Sequence, residues 1–234
     1  MKVVFGEVKG EIKKNDLTER LSSCKATIEE QMPRLWERLP EQYRKSFQMA
    51  YFIRVKDYKE MDKEVRFSAE WDEIYPYSFR GKELWGARTN YAGVRLKDVG
   101  SPWIMAVEGD WSVATRIGRM ALVKRGQVRN LEIPSSVLRK TLENDSRAEI
   151  HMWWREIEEG VDGSLRGALP KRTGTRSRFD KAGEPYFAKF ESMELGCVVS
   201  ISCKQGSISS RSLTSDRMIE YFEKWILPNL HIGR

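Results

Sequence analysis

The apolar positions of this chain change period several times, and each change predicts an element. Val3 to Val8 is a short apolar run followed by Lys9-Gly10, suited to a strand or hairpin. Leu17, Leu21, Cys24, Ile28 and Leu35 then fall on one helical stripe, opened by Asp16 and Glu19 as a D-x-x-E capping box. Pro33 lacks an amide and crowds the preceding turn, so it is expected to end or kink that helix. Glu41 to Val55 predicts a second helix with Tyr43, Phe47, Ala50 and Tyr51 facing inward.

From Val65 the period falls to two. Val65, Phe67, Ala69 and Trp71 alternate with Arg66, Ser68 and Glu70, as in a half-buried strand. An aromatic loop from Ile74 to Gly86 leads to candidate strands at Tyr91–Leu96 and Trp103–Val107, with a turn at Gly109-Asp110. Trp111, Val113, Thr115 and Ile117 alternate again, and Met120–Val123 continues past a bulge at Gly118. Arg125-Gly126 turns the chain into Val128–Ile133. Connections this short cannot carry parallel crossovers, so the middle third is expected to be an antiparallel meander.

Pro134 and Ser135-Ser136 introduce a short helix to Asn144. Ser146 and Glu149 form a second capping box, and Ile150, Trp153, Trp154 and Ile157 have helical spacing up to Gly160. A strand reading of Ile150, Met152 and Trp154 competes, and the capping box decides for helix. Tyr186, Ala188 and Phe190, then Cys197, Val199, Ile201 and Cys203, read as a hairpin across Met193–Gly196. Met218, Ile219, Phe222, Trp225 and Ile226 form the apolar face of a last helix ending at Pro228. The expected fold is α+β, one domain over 1–234: a helical N-terminal layer on a mostly antiparallel sheet, closed by a C-terminal helix.

Composition supports a real core. Eight Trp, eight Tyr and nine Phe in 234 residues supply large buried areas. Cys24, Cys197 and Cys203 contain no CxxC pair, and His151 and His231 are isolated, so a zinc cluster is not expected. Three reduced thiols in a cytoplasmic or nuclear protein are the expectation, with no signal peptide and no apolar stretch near the ~20 residues a membrane helix needs.

Charge changes the picture at one place. Gly163 to Lys181 carries Arg166, Lys171, Arg172, Arg176, Arg178 and Lys181 against the single acid Asp180, which is five of the chain's net seven positive charges. Set among Gly, Ser, Thr and Pro, these residues predict an exposed basic loop over 160–185 that meets an anion. Several Lys and Arg neutralising phosphates give nucleic-acid affinity without sequence reading. Trp153, Trp154 and Phe179 are the candidates for base stacking.

The expected function is therefore non-enzymatic binding of RNA or DNA through the phosphate backbone. A packaging or assembly role of viral or phage type would suit it, with oligomerisation allowed. No cofactor or metal is implied, and neither G-x-x-x-x-G-K-[ST] nor G-x-G-x-x-G occurs. Two alternatives stay open. One is a metal-dependent nuclease using strand-end carboxylates such as Glu108 with Asp110 or Glu70 with Asp72, near carboxylate-x-Lys elements such as Glu7-Val-Lys9. The other is a matrix-like scaffold resting on an anionic membrane surface through the same arginines with Leu165, Leu169 and Phe179.

Overall fold

Both faces of the first strand, β1 (Lys2–Val8), are buried, and the architecture follows from that. The computed structural model describes residues 1–9, 14–100, 102–121, 128–169 and 174–230. After β1 come α1 (Lys14–Ser23), β2 (Lys25–Thr27) and three short helices, α2 (Ile28–Gln31), α3 (Pro33–Arg38) and α4 (Glu41–Phe47). Four strands follow, β3 (Tyr51–Met61), β4 (Glu64–Phe79), β5 (Lys82–Asp98) and β6 (Trp103–Glu108), then α5 (Trp111–Ala121). The second half runs β7 (Val128–Asn130), α6 (Ser135–Asp145), β8 (Ser146–Glu158), β9 (Val161–Leu169), α7 (Gly174–Ala182), β10 (Glu184–Ser192), β11 (Val198–Ser202) and β12 (Ser207–Ser210). It ends in α8 (Ser215–Tyr221), continued by a π-helical turn Phe222–Ile226 and a 3-10 turn Leu227–Asn229. The molecule is α+β.

The described strands form one twelve-stranded sheet in the order β2-β3-β4-β5-β6-β1-β12-β11-β10-β8-β9, with β7 also beside β1. Every pairing is antiparallel. β6 lines one edge of β1, while β12 and β7 share the other. Each half thus repeats one plan: a strand near the centre, a helix, an antiparallel run returning to β1, and a closing helix.

The helices do not share one side. Val4 and Val8 of β1 join Phe67, Trp71, Val94, Leu96 and Met105 in a core closed by Leu17 and Leu21 of α1 and Ala114 and Ile117 of α5. Val3 and Phe5, on the opposite face, join Met152, Trp154, Phe190 and Ile201 under α6, α8 and the π-helical turn. Phe5 stacks on Phe222 with ring centroids 3.9 Å apart. The first half of the sheet is therefore covered mainly on one face and the second half mainly on the other. The N-terminal end of α8 also reaches the first half's remaining face through Ser215 and Asp216, and among the described residues the second half's remaining face carries no helix.

Several local expectations change. Asp16 lies inside α1 rather than ahead of it. The capping box sits at Thr27, whose hydroxyl accepts from the Glu30 amide while Glu30 accepts from the Thr27 amide. The single helix expected through Cys24 and Ile28 is interrupted: α1 ends at Ser23, β2 intervenes, and Pro33 instead separates the short α2 from α3, which it opens. The helix from Glu41 stops at Phe47, and Tyr51 starts β3. Trp111–Ala121 is a helix, because Asp110 accepts from the amides of Ser112 and Val113 and caps it. Ile150–Ile157 is strand, not helix: Ser146 and Glu149 are buried in the sheet, and Glu149 faces Arg176 instead of an amide. The aromatic loop Ile74–Gly86 is paired strand across a turn at Arg80-Gly81. Among the described residues of 160–185, the expected basic loop is β9 and α7.

Candidate functional site

The uncovered face of the second half is built by alternation. In β8, Met152 and Trp154 are buried, so His151 and Trp153 point the other way, and Trp153 remains 36% exposed. Phe187 stands opposite Trp153 and Lys189 opposite His151. A bulge between Pro185 and Phe187 lets Tyr186 join the same face, where its ring meets Trp153 edge-on at 6.1 Å. His151 bridges Trp153 and Phe187, at 5.6 and 5.7 Å between centroids. Four aromatic rings thus form a continuous row across β8 and β10.

Beyond the row lies hydroxyl-lined sheet. Ser200 pairs with Ser209 and Ser202 with Ser207, all projecting away from Ile201 and Ile208, which are in the core. With Lys2 and Gln205 these serines and the aromatic row enclose a shallow cleft of about 450 Å³. A second cleft of similar volume adjoins it through Ser200 and Ser209 and adds Lys189 and Arg211. No Asp or Glu is among the described residues lining either cleft. Arg166 of β9 lies across from His151 and donates from Nε to its Nε2 at 3.3 Å. Burial, then the charges of Arg166 and Lys189, holds the imidazole below its ordinary pKa.

The corresponding face of the first half makes the contrast. Arg54 and Lys56 project there with Glu70, which accepts from Arg54 Nε at 2.7 Å and lies 2.8 Å from Lys56 Nζ. Arg66 pairs with Glu64, Arg95 with Asp216, and Lys97 with Glu223 at 2.8 Å. That face is charged and internally neutralised.

The structure divides the expected site residues. Arg166 stands on the aromatic face, beside His151. Lys171 and Arg172 lie outside the described residues. Arg176 is largely buried between Glu149 and Asp180, the latter at 3.1 Å, so its charge is answered inside the protein. Arg178 and Lys181 are exposed on α7, whose Phe179 packs against Trp154, on the opposite side of the sheet from Trp153. Trp154 is fully buried and donates from Nε1 to Asp180 at 2.9 Å, and Phe179 covers it at 5.1 Å, which removes both rings from the stacking set. Trp153 alone of the three retains an open face. The strand-end carboxylates are engaged elsewhere: Glu108 accepts from the Gly93 amide at 2.9 Å, Asp110 caps α5, Glu70 holds Arg54 and Lys56, and Asp72 accepts from the Tyr51 amide and Thr89. Among the described residues no group of three or more His, Cys, Asp or Glu is placed to hold a metal, and no helix is long and apolar enough to cross a membrane.

Comparison with known families and with curated proteins finds no family model and no relative that matches the chain.

Proposed function

We propose that this protein binds single-stranded nucleic acid, without catalysis, on the aromatic and serine-lined face of its second half-sheet. The observation that carries the reading is one surface that joins stacking rings, cations and hydroxyls with no carboxylate in its clefts. An open aromatic face takes a base at about 1–3 kcal/mol per base, whatever its identity. Lys2, Lys189, Arg166 and Arg211 supply the charge that answers phosphates, and serine hydroxyls both donate to phosphate oxygens and accept from sugars. A duplex keeps its base faces stacked inside, so accessible aromatic rings favour an unpaired strand. The basic segment contributes Arg166 to this surface. The exposed cations of α7 stand on the far side.

The test is fluorescence anisotropy with labelled single-stranded RNA and DNA of about 10 nucleotides, within the roughly 4–16 that an OB-fold covers. Trp153→Ala should weaken binding by about 5- to 150-fold, the equivalent of one lost stack. Lys2→Gln with Lys189→Gln should flatten the dependence of log K on log salt by up to about 1.4, at roughly 0.7 per contact. Arg178→Gln with Lys181→Gln should leave affinity unchanged. Absence of binding to either nucleic acid would refute the proposal. Binding that survives Trp153→Ala and vanishes with the α7 pair would move the interface to the other side of the sheet.

A further inference from the structure

The hairpin of β4 and β5 outgrows the sheet. β3 accompanies β4 only as far as Glu70, and β6 accompanies β5 only from Val94 onward. From Trp71 to Phe79 and from Lys82 to Asn90 the two strands pair with each other alone. Trp71 is still in the core and Asp72 still holds the Tyr51 amide, so the free arm runs from Glu73 to the tip, about 24 Å at ~3.4 Å per residue. Two-stranded ribbons are marginal in water by themselves, and this one exposes Tyr75, Tyr77 and Phe79. Tyr75 and Tyr77 lean over Gly86, where a Cβ would come within 3.2 Å of a ring carbon. Both outer edges of the arm carry backbone groups without a neighbouring strand, the condition under which sheets add strands from another chain.

Its tip is chemically marked. The turn is made by Arg80 and Gly81, both at positive φ, 50° and 75°. Such turns select Asn-Gly or Asp-Gly, and an arginine in the left-handed region is strained. The guanidinium lies over the Phe79 ring at 5.3 Å, and Lys82 follows, with Glu83 next. The exposed tyrosines and Phe79, with Arg80 over the Phe79 ring, are residue types enriched in protein interface cores.

The same molecule presents the complement. The hairpin of β8 and β9 ends in Glu156, Glu158, Glu159 and Asp162, all exposed, with Val161 48% exposed among them. Among the described strands β9 is the last of the sheet, with no strand paired to its outer edge. We infer that the β4–β5 arm docks on a second copy of this chain, its Phe79–Lys82 tip against the acidic β8–β9 hairpin of the partner. A twofold would make the contact twice and close the pair.

Light scattering after gel filtration, over a range of concentrations, tests this on the full chain in the absence of nucleic acid. Wild type should have twice the monomer mass of 27.3 kDa. Arg80→Glu with Lys82→Glu should weaken the dimer at least tenfold, as should Glu158→Lys with Glu159→Lys. The protein carrying all four substitutions should regain the dimer, because the charges again match. Circular dichroism melts should show both reversed proteins folded, since the four positions are exposed. A wild type that stays monomeric overturns the inference, and so does a dimer indifferent to both reversals. Four-fold reversed protein that fails to recover overturns it too. Loss of oligonucleotide binding in the arm variant of a monomeric protein would assign the arm to nucleic acid instead.

Discussion

His151 shows how much one side chain depends on neighbours far away in sequence. Its imidazole sits between Trp153 and Phe187, with Arg166 donating to Nε2. Burial and two nearby cations disfavour the charged form. The folded protein thus takes up this proton less readily than the unfolded chain. The stability it contributes is complete above the ordinary value of about 6.5 and falls as pH drops below it. A bound phosphate backbone would act in the opposite direction, favouring imidazolium. NMR titration of the His151 ring should therefore give a midpoint below 6.5 in the free protein and a higher one with oligonucleotide bound. A free-protein midpoint at or above 6.5 would contradict the local electrostatics, and no shift on binding would place the strand elsewhere. None of this is visible in a local window, where His151 is simply an isolated histidine. Trp153 and Trp154 were equally legible as residues and equally illegible as partners. Adjacent positions on a strand face opposite ways, so one is a buried indole on Asp180 and its neighbour an open ring.

At the scale of elements, the period-two run at Val65–Trp71, the candidate strands at Tyr91–Leu96 and Trp103–Val107 and the hairpin of β10 and β11 are all present as strands; in the first and the last, alternation is the signal. Helix α5 is hidden in the sequence for a definite reason. Its buried positions include Ala114, Ile117 and Gly118, and two of these are too small to register as a hydrophobic stripe. Trp111, Val113, Thr115 and Ile117 instead supply a false alternation. Gly118 is small because Val128 packs there, 2.5 Å from where a Cβ would stand. Strand β12 was missed because its sequence is Ser-Ile-Ser-Ser, and the open face it helps build is made of hydroxyls. The cap decides α5. Asp110→Ala should destabilise the protein by about 1 kcal/mol, whereas Asp110→Asn should retain most of the cap. A denaturant melt checks this at neutral pH. The Ser112 hydroxyl and then the amides of Val113 and Ser112 hold the Asp110 carboxyl below its usual range, so the cap's contribution should fade as pH falls through the carboxylate range. Equal midpoints for Asp110→Ala and wild type would mean that α5 is held by packing alone.

For the whole molecule, the α+β class was legible from the mix of periods, but the placement of helices on opposite faces was not. That placement is decided at β1, where successive residues serve different cores: Val3 and Phe5 one, Val4 and Val8 the other. A run of buried residues says only that both faces are covered, not by what. The seam also fastens the halves to each other. Phe5 donates its amide to the Gly206 carbonyl at 2.7 Å and accepts from the Leu131 amide at 3.0 Å, joining β1 to the turn before β12 and to the segment that follows β7. Gly206 has φ +48°, and a Cβ there would lie 1.9 Å from the Leu131 carbonyl oxygen, so the crossing admits no side chain. Two cores sharing one strand should unfold as a single cooperative unit. Phe5→Ala removes a fully buried ring stacked on Phe222 and should cost about 3–5 kcal/mol. Its effect should reach the half it does not touch. Far-UV circular dichroism reports the whole sheet, while quenching of Trp71 and Trp103 fluorescence reports the first-half core if the other tryptophans are replaced by Phe. The two transitions should coincide in wild type and shift together to lower denaturant in Phe5→Ala. A Phe5→Ala protein whose first-half tryptophans melt at the wild-type midpoint would show two independent domains joined edge to edge.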